Sequence, residues 1–310
     1  MNNAPTQSDA AHEMREICVC ICTYKRPGLL KRLLDKLRSQ KTENLFRYSI
    51  LVIDNDQAHS AEPMVTEFRG TSEIPISYVV EPVQNIGLAR NRAVENCHAD
   101  FLVFIDDDEI PIDSWLLLLL KVFDEHHVDG VLGPVKRYFD VPPPEWVLKG
   151  GFYDRPVRPT GSTVHWLEGR TGNVLLDVNL FRDHDARFNP EFRGGEDTDF
   201  FRRMIDKGHR FIWSAEAEAF EIVPPSRWDR SFLLRRALLR GASTLNHSNF
   251  GFREVAKSVI AVPLYLLAMP VMLLCGQHKF MSLLVRLCDH LGKLLALVGV
   301  NPVKEHYITQ

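Results

Sequence analysis

FLVFIDDDEIP, residues 101–111, joins an apolar run to four adjacent carboxylates. Residues 101–105 carry no polar side chain, which suits a strand buried on both faces of a sheet. Asp106, Asp107, Asp108 and Glu109 then crowd like charges together, so the turn needs a cation, tight hydrogen bonding or solvent. The D-x-D spacing lets Asp106 and Asp108 reach one point from a strand-to-loop bend. Carboxylate oxygens suit hard divalent ions such as Mg2+ or Mn2+, and an ion held by so few side chains keeps positions open for phosphate oxygens. The competing reading is a solvated acidic loop ahead of a helix whose positive end favours Asp and Glu. This stretch alone leaves both open.

Upstream, strands and helices alternate. Residues 17–23 read as a strand, and Pro27 suits the first turn of a helix running to about Gln40. Strands follow at 48–53 and 76–80, with helices at 63–68 and 89–96. The pattern predicts an α/β chain with a mostly parallel sheet covered by helices on both faces. Ligands of such sheets gather at the carboxyl ends of the strands, where Thr23, Tyr24, Asp54 and Asp106 fall. Downstream, 115–127 reads as a helix, 130–159 as loops with short strands, and 164–180 as a strand broken by EGRTGN. A helix over 198–207 stops at Gly208, a strand lies within 211–222, and 231–243 forms a basic amphipathic helix.

Three further groups carry chemistry. Arg90 and Arg92, in QNIGLARNRAV (84–94), offer cations to an anionic ligand near the same sheet edge, or are ordinary surface helix residues. Asp54 suits a hydrogen bond to a base or sugar, or an Asx turn. In NPEFRGGEDTDFFRRMIDKG (189–208), Glu196 and Asp197 follow two glycines; the pair caps a helix or supplies a general base.

Composition bounds the rest. The 310 residues are 45% hydrophobic and 25% charged, enough for a large core, and the net charge of −3 argues against a broad nucleic-acid surface. Cys18, Cys20 and Cys22 share one strand face and read as buried reduced thiols of a cytosolic protein, not as a metal site. Residues 1–16 are polar, without a secretory signal, and read as a loose tail. Residues 258–276 carry no charge and are long enough to cross a bilayer, with Pro263 and Pro270 as interruptions. The apolar stretch after it contains Arg286, Asp289, His290 and Lys293. This end reads as membrane-associated, re-entrant or interfacial; the alternative is an apolar hairpin packed on the soluble domain.

Taken in order, ICVCICTYKRP, VIDND, NIGLARN, FIDDDEIP and GGEDTDFFRRM resemble the family 2 glycosyltransferases over residues 17–222. The resemblance implies a GT-A fold over 17–230, with a nucleotide-sugar half at 17–112 and an acceptor half at 113–230. Residues 231–310 are then a membrane-associated region. It implies a nucleoside-diphosphate-sugar donor such as UDP-glucose, Mg2+ or Mn2+, and inversion at the anomeric carbon. Thr23, Tyr24 and Arg26 would line the nucleotide pocket, and Asp54 would hold the base. Asn85, Gly87 and Arg90 would lie near the base and diphosphate. Asp106 would meet the ribose, donor sugar or metal, Asp108 the metal, and Asp107 would assist donor binding. Arg170, Gly172 and Asn173 fall where the family shapes the donor-sugar and acceptor pocket. Asp197, beside Glu196, matches the catalytic base.

Two departures stand out. Glu221 occupies the place where many relatives carry a metal- or phosphate-binding His, which points to Arg227 as a substitute diphosphate ligand. PPSRW (224–228) lacks the Gln of the processive Q-x-x-R-W signature. The chain is therefore expected to add one sugar per acceptor. The whole is similar to succinoglycan-type exopolysaccharide transferases, which extend a lipid-linked oligosaccharide at the cytoplasmic face of the bacterial inner membrane. Arg235, Arg236 and Arg240 would then meet anionic head groups or a lipid diphosphate. A sugar-phosphate nucleotidyltransferase would want a glycine-rich phosphate loop where this chain has CTYKRPG. A haloacid-dehalogenase-like phosphatase would place its D-x-D near the first strand. A catalytically inactive membrane scaffold would have no use for intact Asp106, Asp108 and Asp197.

Overall fold

The structure, a computed structural model, describes residues 14–192, 195–246, 251–300 and 303. Most of the expected N-terminal tail (1–13), and Arg193 and Gly194 ahead of the second acidic cluster, lie outside the described residues.

The first strand, β1 (Arg15–Thr23), starts two residues before the apolar run, inside the segment expected as tail. It is followed by α1 (Pro27–Leu37), β2 (Phe46–Asp54), α2 (Glu62–Thr71), β3 (Ile76–Val80), α3 (Ile86–Asn96) and β4 (Phe101–Ile105). The helix expected from residue 89 begins at Ile86, because the Asn85 side chain accepts a hydrogen bond from the Leu88 N–H (3.1 Å) and caps it. Strands β3, β2, β1 and β4 pair in parallel, in that order. Thr23 lies level with Asp54, and Asp54 with Val80, so the strand ends form one rim with the acidic turn.

The chain then adds β5 (Glu109–Pro111), α4 (Trp115–His126), β6 (Gly130–Leu132), β7 (Val135–Tyr138), α5 (Glu145–Gly150) and β8 (Asn173–Asp177). Within the 164–180 stretch only β8 is a strand; Trp166–Glu168 and Val178–Arg182 form single 3-10 turns. β8 runs antiparallel to β4, with Asn173 opposite Ile105, and carries the loop before it to the acidic turn. α6 (Glu196–Asp206), β9 (Phe211–Trp213) and β10 (Ala219–Ile222) complete the domain. A small sheet of β5, β10 and β7 sets Glu221 opposite Glu109.

Alternation in β1 divides the core. Ile17, Val19 and Ile21 face α1, α2 and α4, with Leu33, Phe68 and Trp115. Cys18 and Cys20 face α3 and α6, with Ala93, Phe200 and Met204. Helices thus cover both faces, as expected. The cysteines of the described chain are free thiols. Burial pushes the Cys22 thiol up to about 12, so it stays protonated.

The C-terminal helices are α7 (Arg230–Ser243), α8 (Phe252–Leu274) and α9 (Gln277–Leu297). α7 and α9 cross at reciprocal glycines: a Cβ on Gly241 would meet the Asp289 carbonyl oxygen at 2.0 Å, and one on Gly292 the Leu238 carbonyl oxygen at 2.2 Å. Leu233 of α7 packs with Val147, Tyr153 and Val223, docking the pair onto the α/β domain. The polar groups of α9 serve the helix contacts: Asp289 takes Arg240, the ring of His290 meets the Ser258 hydroxyl (2.9 Å), and Lys293 approaches Glu254 (3.6 Å). α8 is one helix through Pro263 and Pro270, each of which removes an internal hydrogen bond. It keeps a broad apolar surface open, with Leu267 77% and Leu274 89% exposed. Among the described residues it is the helix long and apolar enough to cross a membrane.

Candidate active site

At the carboxyl ends of β1 and β4 lies a cleft of about 440 Å³. Its walls come from the β1–α1 turn (Thr23, Tyr24, Arg26), Asn55 after β2, Arg90 of α3 and the acidic turn. Arg155, Glu221 and Arg227 close the opposite side, with Phe232 and Arg236 of α7. A boundary drawn at residue 230 therefore runs through the cleft wall.

The acidic turn is held mainly by guanidinium groups. Asp107 turns inward, accepting from the Thr23 hydroxyl (2.7 Å) and from Arg26 Nη1 (3.1 Å). Asp108 accepts from Arg227 Nη2 at 2.8 Å, with Arg26 at 3.4 Å. Arg227 Nη1 donates to Glu221 Oε1 (2.8 Å), and Arg155 to Glu221 Oε2 (2.6 Å). Asp106 is the least committed, with Arg90 at 3.9 Å and its side chain 48% open to the cleft. The protein mass around Asp106 pushes its carboxyl up to about 6, with Arg90 opposing and Asp108 reinforcing the rise. Burial likewise lifts Asp107 to about 7 against the pull of Arg26. Glu109 is buried and makes no ion pair among the described residues, and burial, with Asp106 beside it, holds it well above the usual carboxylate range. Gly172 lets the chain pass close to the turn: a Cβ there would stand 2.6 Å from Glu109 Oε1 and 3.0 Å from Asp106 Oδ2 and push on those carboxylates.

The second acidic pair opens α6, after Gly195 in the left-handed region (φ 86°). Glu196 is buried and ion-paired with Arg90, which links it to the Asp106 side of the cleft. Asp197 is half-buried, outside the wall of the main cleft, and accepts from the Thr198 N–H (2.7 Å). The pair thus divides: Glu196 is bound to a structural cation, and Asp197 makes no ion pair among the described residues.

Three expected ligand residues point elsewhere. Asp54 is fully buried and accepts from the Ala61 N–H (2.7 Å), the Asp56 N–H (3.1 Å) and the Tyr78 hydroxyl (2.8 Å). Its carboxylate anchors the approach to α2, and the neighbouring Asn55 takes the cleft wall. Asn85, besides capping α3, donates to the Pro190 carbonyl (2.8 Å). Gly87 permits that approach, since a Cβ would stand 3.3 Å from Pro190 Cα. Asn173 is consumed by Trp115 Nε1 (2.7 Å) and the carbonyls of Ala217 (2.8 Å) and Pro134 (3.1 Å). Arg170 lines a second cavity of about 290 Å³ with Trp213 and Leu167, and Arg155 borders both spaces. Sequence reasoning did not single out Asn55, Arg155 or Phe232. Only Asn55 left a signal, as the residue one step past a strand end.

Residues 18–184 match the family model described as "Glycosyl transferase family 2". The chain is 30% identical to the succinoglycan biosynthesis protein ExoM of Rhizobium meliloti (strain 1021), across 95% of this chain and 97% of that protein. It is 24% identical to the poly(ribitol-phosphate) beta-N-acetylglucosaminyltransferase TarS of Staphylococcus aureus (strain Mu50), spanning 64% of this chain but 34% of that longer one. Among solved structures, the mannosyltransferase PcManGT of Pyrobaculum calidifontis, in complex with GDP-Man and Mn2+, superposes with a TM-score of 0.63 at 16% identity. The superposition covers 91% of this chain and 88% of that one. S. aureus TarS 1-349 with UDP-GlcNAc gives 0.52 at 16% identity, covering 93% of each chain. The structural likenesses carry the GT-A fold, and the family match with the ExoM relative carries the assignment: this chain belongs to glycosyl transferase family 2 and is a glycosyltransferase.

Proposed function

We propose that the protein transfers a single sugar from a nucleoside-diphosphate donor, a UDP-hexose such as UDP-glucose, to a hydroxyl of a lipid-linked glycan in exopolysaccharide synthesis. The observation that carries this reading is the acidic turn. Asp106 and Asp108 line a cleft at the strand ends, ringed by Arg26, Arg90, Arg155 and Arg227. Carboxylates beside guanidinium groups suit a metal-bound diphosphate better than a neutral ligand. The names of similar proteins add support, since a TarS structure holds UDP-GlcNAc and PcManGT holds GDP-Man and Mn2+.

The residues present fit Mg2+ or Mn2+. Asp106 and Asp108 supply hard oxygen donors, and no three acidic, His or Cys side chains converge into a closed cage among the described residues. Asp106 and Asp108 would hold the ion, which would offset charge on the departing diphosphate. Arg227, already on Asp108, stands ready to take a phosphate oxygen. Tyr24 and Asn55 flank the base and ribose. Asp197 takes the proton from the acceptor hydroxyl as its oxygen bonds to the anomeric carbon. The bond to the diphosphate breaks with its electron pair leaving on the nucleotide, and this single displacement inverts configuration. Glu196 acts through Arg90 as a positioning residue. We place the protein at the cytoplasmic face of a bacterial inner membrane, with α8 in or on the bilayer.

Purified full-length chain, given UDP-glucose and acceptor-bearing membranes, is expected to transfer sugar only with Mg2+ or Mn2+. Asp197→Asn should still bind UDP by calorimetry and lose about 10²-fold or more in kcat. Full transfer by both Asp197→Asn and Asp108→Ala would overturn the reading. A thermal-shift screen of nucleotide sugars identifies the donor, because the bound ligand stabilises the folded state.

A further inference from the structure

α7 brings a cation into the cleft that the acidic turn does not neutralise. Arg26, Arg90, Arg155 and Arg227 each pair with a carboxylate: Asp107, Glu196, Glu221 and Asp108 respectively. Arg236 lines the same cleft and makes no ion pair among the described residues. Its guanidinium carbon stands 5.9 Å from the centre of the Tyr153 ring. The Tyr153 hydroxyl donates to the Arg227 carbonyl (2.6 Å), so one aromatic ring supports the backbone of the first arginine and the head group of the second. The neighbouring helix residues differ. Arg235 and Arg236 are both exposed, but only Arg236 lines the cleft, and Arg240 is taken by Asp289. Of the arginines at 235, 236 and 240, the fold leaves one on the open surface, gives one to a helix–helix contact and places one on the cleft wall.

Arg155, Arg227 and Arg236 gather on one wall of the cleft, so their like charges favour an anion between them. The protein mass around the cleft lowers the hold of Arg236 on its proton, with Glu221 and Tyr153 opposing the fall and Arg227 and Arg155 adding to it, while the side chain itself stays open to solvent. The position is also fixed. α7 is pressed against α9 at Gly241 and Gly292, and Leu233 anchors it in the Val147–Tyr153–Val223 cluster. The clamp fixes the helix backbone, so the cation is presented from a set position on the cleft wall.

We propose that Arg236 is a diphosphate-binding residue, contributed to the active site by the helix that leads into the apolar C-terminal segment. This rests on the transfer reaction proposed above. Two diphosphate esters meet in that reaction, the nucleotide of the donor and the polyprenyl carrier of the acceptor, and the guanidinium fork fits either.

The test uses the full-length chain and two probes: UDP with Mn2+, and phosphatidylglycerol vesicles with and without a polyprenyl diphosphate. Arg236→Gln should weaken one of them about tenfold or more, Arg236→Lys less, and Arg235→Gln neither. Weaker UDP binding assigns Arg236 to the donor diphosphate. Loss of the binding that the polyprenyl diphosphate adds, with UDP binding intact, assigns it to the acceptor. Unchanged affinity for both probes in a folded Arg236→Gln protein, judged by its melting curve, would overturn the proposal. Full transfer by Asp197→Asn and Asp108→Ala would sink the transfer reading and leave the diphosphate binding measured here untouched.

Discussion

Arg90 and Glu196, separated by 106 positions in the chain, form a buried ion pair that ties α3 to the start of α6. Removing one partner strands the other charge in the interior. Arg90→Met should cost about 3–5 kcal/mol in urea unfolding, and Glu196→Gln in that background should recover part of it. Glu196→Gln alone should reduce kcat less than Asp197→Asn, because the pair orients the base without accepting the proton. Equal losses from the two substitutions would place the base on Glu196 instead.

The acidic turn makes stability depend on pH and on divalent ions together. Asp106 and Asp107 have carboxyls raised from 3.8 to about 6 and about 7. A raised carboxyl is favoured in its protonated form by the folded protein. Its contribution is complete below the ordinary value and is lost as pH rises through about 6 and then about 7. A cation competes with those protons, so Mn2+ should raise Tm more at about pH 8 than at about pH 5. Differential scanning fluorimetry at the two pH values reads this directly. Equal shifts, or a shift that survives Asp106→Asn with Asp108→Asn, would speak against a metal at this turn.

Gly241 and Gly292 offer a way to disturb the cleft from outside it. A side chain at either position meets backbone at about 2 Å, so α7 and α9 must separate. Gly292→Val is expected to destabilise by roughly 1–3 kcal/mol and to weaken UDP or polyprenyl-diphosphate binding, since α7 carries Phe232 and Arg236 into the wall. Calorimetry on folded variant would show unchanged affinities if α7 and the site were independent.

The exposed face of α8 predicts where the protein resides. Wild-type chain should float with phospholipid vesicles, and Leu267→Lys with Leu274→Lys should lower the bound fraction, because charge on an apolar membrane face costs about 2.5–3.5 kcal/mol per residue at the bilayer centre. Recovery of the wild type entirely in the soluble fraction would refute membrane association.

Local pattern carried much of the architecture. The parallel strands β1 to β4 announce themselves as apolar runs, and the helices between them by periodicity and by Pro27. β5 and α5 were not legible: a three-residue strand and a six-residue helix have too few positions to show a period, and β5 exists only because β10 pairs with it. Pro263 and Pro270 looked like interruptions, yet α8 continues through both.

The sequence by itself determined the α/β alternation, the carboxylates at the strand ends and the kinship with family 2 enzymes, because these depend on spacing along the chain. Tertiary structure alone decided which carboxylates face the cleft. Asp54 lies at a strand end, but the Ala61 N–H and the Tyr78 hydroxyl claim it, whereas Asp106 keeps its side chain open. It also separated Glu196 from Asp197, and Arg236 from Arg235 and Arg240. Adjacent charges are equivalent in a sequence; they become different only when partners more than a hundred positions away, such as Arg90 for Glu196 or Arg227 for Asp108, arrive to neutralise one and leave another for the ligand.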